Sequence, residues 1–132
     1  MITGGCLCGG VKFEIDGPLR GVVNCHCTMC QKLNGGFGGH TRAKTTDVKF
    51  ISDESLKWYN SSPIAKRGFC STCGASLFWN PAGEDTTSIL AGVLDLPTNL
   101  MTAGHIFVEE KPDYYEITDN LPQFGKSSNG GL

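Results

Sequence analysis

Seven cysteines stand in three groups, Cys6-x-Cys8, Cys25-x-Cys27-x-x-Cys30 and Cys70-x-x-Cys73. Thiolates at that spacing suit a metal ion. In an extended strand residues i and i+2 share a face, so a Cys-x-Cys can present two sulfurs to one ion. A Cys-x-x-Cys does the same across a tight turn. Zinc takes four thiolates at roughly 2.3 Å in a closed structural site, whereas a catalytic site keeps one position open. Seven thiolates therefore divide into a closed four and an open three. Spacing alone allows several partitions, among them Cys6, Cys8, Cys25 and Cys27 on one ion.

Disulfides are the competing use of these residues. They require an oxidising compartment, and seven is an odd number to pair. Met1-Ile2-Thr3-Gly4-Gly5 offers no basic segment followed by an apolar core, so the expected setting is the reducing cytoplasm. Within one Cys-x-Cys strand the Cα atoms would lie about 6.6 Å apart, near the upper limit for a relaxed bridge. Two Zn²⁺ per chain are expected, one structural and one catalytic and labile.

The rest of the chain must position those thiols. Its 132 residues suit one compact domain, and 39% hydrophobic content gives a modest core that benefits from a metal staple. Eighteen glycines and six prolines suggest short strands joined by turns. No apolar run approaches the roughly 18 residues of a membrane span. The formal charge of -2, lowered further by metal-bound thiolates, gives no footprint for nucleic acid.

Val11-Lys12-Phe13-Glu14-Ile15 alternates as a half-buried strand does, and Asp16-Gly17-Pro18 turns it towards a second strand over Arg20 to Asn24 that delivers Cys25 and Cys27. Thr28 is a candidate N-cap for one or two helical turns from Met29 to Leu33, which Asn34-Gly35-Gly36 ends. That puts Cys30 just inside a helix N-terminus, where the backbone N–H groups favour a thiolate. Gly35 to His40 reads as a loop that allows close backbone approach. Further strands are expected at Val48 to Ile51, Leu56 to Tyr59, Ser76 to Trp79, Ser88 to Leu94 and His105 to Glu109, with a turn at Asn60 to Pro63. Cys70-Ser71-Thr72-Cys73-Gly74 has the pattern of a zinc knuckle, whose backbone N–H groups can donate to the thiolates and whose Gly74 can turn left-handed. Residues 1–124 form the domain, and 125–132, nearly devoid of apolar side chains, are expected to be disordered.

Gly5-Cys6-Leu7-Cys8-Gly9, Cys25-His26-Cys27-Thr28-Met29-Cys30, Phe69-Cys70-Ser71-Thr72-Cys73-Gly74 and His105-Ile106-Phe107-Val108, with Tyr115-Glu116 and Leu121-Pro122-Gln123-Phe124, carry a resemblance. The chain resembles the glutathione-dependent formaldehyde-activating enzymes, a family that shares its domain with centromere protein V. The resemblance implies a mainly β, zinc-stapled fold of the β-tent type, several small antiparallel sheets with a short helical turn after Cys27. It assigns Cys6, Cys8, Cys70 and Cys73 to the structural zinc and Cys25, Cys27 and Cys30 to the catalytic one. It further implies a carbon-sulfur lyase type activity that joins glutathione to formaldehyde as S-hydroxymethylglutathione.

Of the histidines, His26 lies between two presumed ligands, and strand alternation turns it away from their metal into the core or against the site's outer side. His40 on the glycine loop is the freer candidate for proton transfer. Packing is the default for His105. Lys32, Arg42, Lys44, Lys66 and Arg67 are candidate partners for glutathione's carboxylates, though five basic residues near cysteines do not define a pocket. Phe37, Trp58, Phe78, Trp79 and Tyr115 read as core or pocket wall. The other function classes are a thiol-binding protein acting on a different small electrophile or conjugate, and a non-catalytic zinc module. The acidic balance weighs against the second of these.

Overall fold

The computed structural model of the protein describes all 132 residues. It is mainly β, with ten strands, one α-helix and short 3-10 turns. Strands β1 (Ile2–Gly5), β2 (Val11–Ile15) and β5 (Val48–Asp53) form an antiparallel three-stranded sheet in the order β1-β2-β5. The others, β3 (Val22–Cys25), β4 (Gly38–Lys44), β6 (Leu56–Ser62), β7 (Ala65–Cys70), β8 (Ser76–Pro81), β9 (Thr86–Leu90) and β10 (Thr102–Ile106), form one seven-stranded sheet. Its order is β10-β3-β4-β9-β8-β7-β6. Helix α1 spans Thr28–Asn34. No helix is long and apolar enough to cross a membrane.

Two sheets thus replace the several small antiparallel ones expected. The larger is mixed, because β10 returns beside β3 in parallel after the chain has passed through six other strands. This return is what brings the C-terminal third of the molecule to the thiols of Cys25 and Cys27.

The alternation of Val11, Phe13 and Ile15 buries one face of β2 completely. These side chains meet Ala43, Leu77, Phe78 and Ile89 of the large sheet, with Phe13 and Phe78 edge to face at 5.2 Å. Each such aromatic or aliphatic side chain removed from water contributes about 1.5–3 kcal/mol. Cys70, fully buried, belongs to the same core, and Cys6 and Cys73 pack against it. The core between the sheets therefore ends in a cluster of sulfur atoms.

Several boundaries moved from where the sequence suggested. Cys27, not Thr28, is the N-cap of α1: its backbone is extended and its sulfur accepts from the Cys30 N–H. Gly35 in the left-handed conformation ends the helix as expected. Gly38, Gly39 and His40 are not a loop but the start of β4, where Gly38 pairs with Cys25 and Gly39 with Asn24. Asn60 to Ser62 continue β6, so the turn falls at Pro63 and Ile64. The strand expected from His105 to Glu109 begins earlier, at Thr102, and breaks at Phe107.

The terminal segment, expected to be disordered, here lies along the end of β10. The Phe107 N–H donates to the Lys126 carbonyl at 2.9 Å, and Leu132 side-chain atoms stand 3.0 Å from where a Gly104 methyl group would be. Backbone pairing supplies what this segment's composition could not.

Candidate functional site

The thiols converge in two groups, Cys6 with Cys8, Cys70 and Cys73, and Cys25 with Cys27 and Cys30. Within each group the sulfur atoms all lie within 4.8 Å of one another. No disulfide links any of them.

Cys6 and Cys8 come from the β1–β2 connection, which is a turn and not the extended strand that alternation suggested. Gly9 is left-handed there, and its N–H donates to the Cys6 carbonyl. Cys70 ends β7, and the turn to β8 carries Cys73 and the left-handed Gly74 that the knuckle pattern called for. The Val11 N–H donates to the Cys6 sulfur at 3.2 Å and the Cys73 N–H to the Cys70 sulfur at 3.3 Å; the Ser55 hydroxyl stands 3.1 Å from Cys70 Sγ. Sulfurs of Cys6 and Cys8, and of Cys8 and Cys70, are 3.6 Å apart. Four sulfurs about 2.3 Å from a central ion would stand about 3.8 Å apart, so the donor set fits a tetrahedral ion of zinc's size. Hydrogen bonds to sulfur favour the thiolate form that such an ion needs. The cluster joins the β1–β2 turn of one sheet to the β7–β8 turn of the other.

Cys25, Cys27 and Cys30 are all buried, yet all three line the wall of a cavity of about 860 Å³. That volume falls within the range of roughly 300–1,000 Å³ usual for small-molecule sites. Cys25 is fixed by its place in β3 between β4 and β10, and Cys27 and Cys30 by the first turn of α1. The Glu110 carboxylate accepts from the Thr28 N–H and hydroxyl, both at 3.0 Å, and holds that turn in place. Gln31 donates to the His26 and Glu110 carbonyls. The donor set is three soft ligands on one side of an accessible space, which suits a zinc ion with one position left for an exogenous ligand.

Ile106 and Phe107 pack on these three thiols and face the cavity. Phe107 has φ 54° and ψ 37°, a left-handed conformation that costs a bulky residue about 1–3 kcal/mol. Its neighbours offset that cost: its N–H is held by Lys126, and the Val108 N–H by the Phe124 carbonyl. The result is an aromatic wall beside the thiols.

His26 points away from the thiols, as alternation required, and is 1% exposed. Its Nε2 is 2.9 Å from His105 Nδ1 and its Nδ1 is 2.5 Å from the Tyr115 hydroxyl. His105 Nε2 in turn is 2.7 Å from an Asp119 carboxylate oxygen. With Asp119 as acceptor, His105 Nε2 carries its proton, His26 Nε2–H donates to His105 Nδ1, and the Tyr115 hydroxyl donates to His26 Nδ1. Burial, and then the charges of His105 and Lys111, push the His26 pKa down to about 4, against the pull of Asp119. The chain Asp119–His105–His26–Tyr115 clasps the C-terminal segment onto the strand that carries Cys25. Packing was the expected role of His105 and Tyr115; the polar chain that they make was not foreseen, since its members are spread over 94 positions.

His40, in β4 and not on a loop, is 8% exposed and lines the cavity. Its Nδ1–H donates to the Gly38 carbonyl at 3.0 Å, which leaves Nε2 as the unprotonated nitrogen. Burial lowers its pKa to about 4; the Gly38 hydrogen bond opposes this, and the charges of Arg67 and Arg20 add to it.

Of the five basic residues singled out, Arg42 and Arg67 reach the cavity, and Arg20, which sequence reasoning did not select, joins them. Lys66 instead sits 4.4 Å over the Trp58 ring. Lys32 and Lys44 are exposed at the ends of α1 and β4 and do not line the cavity. Trp79 is cavity wall, Phe37 packs on His26, and Trp58 stacks on Phe78.

The sequence and the fold have recognisable relatives among known proteins. Residues 1–110 match the family described as glutathione-dependent formaldehyde-activating enzyme. A Halomonas elongata protein, named as a candidate glutathione-dependent formaldehyde-activating enzyme, is 30% identical over 130 residues, covering 89% of this chain and 81% of the relative. An uncharacterized lyase of Schizosaccharomyces pombe is 26% identical over 123 residues, covering 92% and 88%. A crystal structure of a Rhodobacter sphaeroides protein shares the fold, with a TM-score of 0.59 at 23% identity over 78% of this chain and 98% of that one.

Proposed function

The chain belongs to the glutathione-dependent formaldehyde-activating enzyme family, and from that membership we propose that it is a zinc-dependent carbon-sulfur lyase that forms S-hydroxymethylglutathione from glutathione and formaldehyde. The observation that carries the reading is the convergence of the Cys25, Cys27 and Cys30 sulfurs on the wall of the 860 Å³ cavity. The fold, with its strands gathered in two sheets rather than several small ones, is then a variant of the zinc-stapled β-tent type, with Cys6, Cys8, Cys70 and Cys73 holding the structural ion and a reducing cytoplasmic setting keeping all seven cysteines out of disulfides. Residues 1–124 carry the domain, and the tail supplies part of the cavity wall.

Cys25, Cys27 and Cys30 would hold the second ion. When bound there, zinc supplies an electrophilic centre that lowers the pKa of an incoming thiol. The protein's own residues do the rest. Ile106 and Phe107 keep water from one side of the thiols and present an apolar surface to the small aldehyde. His40, neutral at pH 7 and with Nδ1–H committed to Gly38, offers Nε2 as the acceptor for the thiol proton. The carbon-sulfur bond forms as the carbonyl π pair moves to oxygen, and His40 returns the proton to that oxygen, so thiol and aldehyde become a hydroxymethyl thioether without loss of any atom.

The adduct also forms unaided, so the test is acceleration. Exchange NMR at equilibrium, with zinc-loaded protein, should show faster interconversion of glutathione plus formaldehyde with their adduct, and a Cys30→Ser protein should not accelerate it. Absence of acceleration with both metal sites filled would reject this reaction in favour of a thiol-binding role towards another electrophile or conjugate.

A further inference from the structure

Arg20, Arg42 and Arg67 line the same cavity as the three thiols. None has a carboxylate partner: the ion pairs in the molecule are His105 with Asp119 and Lys126 with Glu109. Arg20 uses Nε and Nη2 on the carbonyls of Gly21 and His40. Burial, and then the neighbouring charge of Arg42, lowers its pKa to about 10. Arg67 Nε is buried with no hydrogen-bond partner at all. Glu110, the acidic residue of the cavity wall, is already engaged by Thr28.

A protein of net negative charge has thus gathered three cations at one half-buried place and left them without anions. Holding like charges together and leaving a buried donor unmade both cost free energy. Function compensates such a cost when a ligand supplies the missing acceptors. Guanidinium forks match carboxylates in bidentate geometry, and the site's position beside the thiols sets the ligand's other end.

We propose that Arg20, Arg42 and Arg67 form a carboxylate subsite that makes the cavity select acidic thiols over neutral thiols of the same size. The inference rests on the thiol-binding role given to Cys25, Cys27 and Cys30, and it names the ligand class that this role serves. Arg67 is the principal contact, since its Nε is the donor without an acceptor. Arg20 is partly committed to the backbone and acts chiefly by charge.

The test uses S-methylglutathione and its dimethyl ester with the zinc-loaded full chain, by isothermal titration. Neither probe has a free thiol, so affinity reports the subsite and not metal-thiolate formation. The acid should bind roughly tenfold or more tightly than the ester, the worth of one charge-assisted hydrogen bond. Arg67→Met should remove roughly that factor for the acid while leaving the ester unchanged, and Arg67→Lys should restore part of it. Raising salt should weaken the acid selectively. Equal affinity of the wild type for acid and ester, or no binding of either, would overturn the proposal without any variant having to fold. The outcome is independent of catalysis: a protein that does not accelerate adduct exchange but still prefers the acid keeps this subsite, and one that accelerates it while binding both alike loses it.

Discussion

A methyl group on Gly38 would stand 3.3 Å from the Cys30 sulfur, and 2.7 Å from both Asn34 Nδ2 and His40 Cε1. Gly38 opposes Cys25 across the β3–β4 ladder, so this bare stretch of backbone is what lets the three-thiol cluster sit against β4. Gly38→Ala should push Cys30 and His40 apart. We expect an overpacking cost of about 1–3 kcal/mol and a weaker metal affinity at the Cys25, Cys27, Cys30 cluster with the other cluster unchanged. Denaturant unfolding and competition with a chromophoric chelator check the two parts. Wild-type metal affinity at both clusters would show that the contact is slack.

The two thiol clusters differ in what they hold together. The Cys6, Cys8, Cys70, Cys73 group joins the two sheets, whereas the other group lies within one sheet and its helix. Cys73→Ser should therefore destabilise the whole molecule, because structural zinc binding is folding free energy. Cys30→Ser should give a folded protein with a similar far-ultraviolet circular dichroism spectrum. A native Cys73→Ser protein beside an unfolded Cys30→Ser one would reverse the assignment.

Tyr115→Phe removes the donor to His26 Nδ1 and leaves a buried nitrogen without a partner. The expected cost is about 1–3 kcal/mol, seen as a lower denaturation midpoint. Because the same hydrogen bond holds the C-terminal segment, amide exchange should quicken from Lys111 to Phe124 before it does in β2. An unchanged midpoint would mean that water or a shift of the ring replaces the bond.

His26 should remain neutral far into acid. Its folded pKa, about 4, lies below the ordinary 6.5, so the unfolded chain binds the proton first and the stability that His26 contributes falls as the pH drops from about 6.5 towards 4. A proton NMR titration of the zinc-loaded protein should find the His26 ring resonances flat through pH 6. A midpoint near 6.5 would contradict the closed Asp119–His105–His26–Tyr115 chain.

Much of this could be read from the chain because side-chain pattern carries it. The alternation of Val11, Phe13 and Ile15 gives β2 to the residue, and Gly35 and Gly74 turn left-handed where the helix end and the knuckle require it. Glycine misleads where it has no side chain to register: Gly38 and Gly39 read as loop, yet their strand is set by pairing with Cys25 and Asn24, a tertiary fact. The grouping of seven cysteines is likewise not local, since the β1–β2 turn meets β7 only when the two sheets pack. Arg20 reached the cavity unannounced because nothing in its neighbourhood marks it, and the left-handed Phe107 breaks a strand that composition would have continued. His105 and Asp119 are 14 positions apart and pair only through the fold.

The division into a closed and an open site can be tested by replacing zinc with cobalt(II) and titrating glutathione against the absorption spectrum. The wild type should hold two ions per chain, and glutathione should strengthen the sulfur-to-cobalt charge-transfer band by about one thiolate, while Cys30→Ser should show neither the second ion nor the response. A wild type with two filled sites whose spectrum ignores glutathione would contradict an open position at Cys25, Cys27 and Cys30.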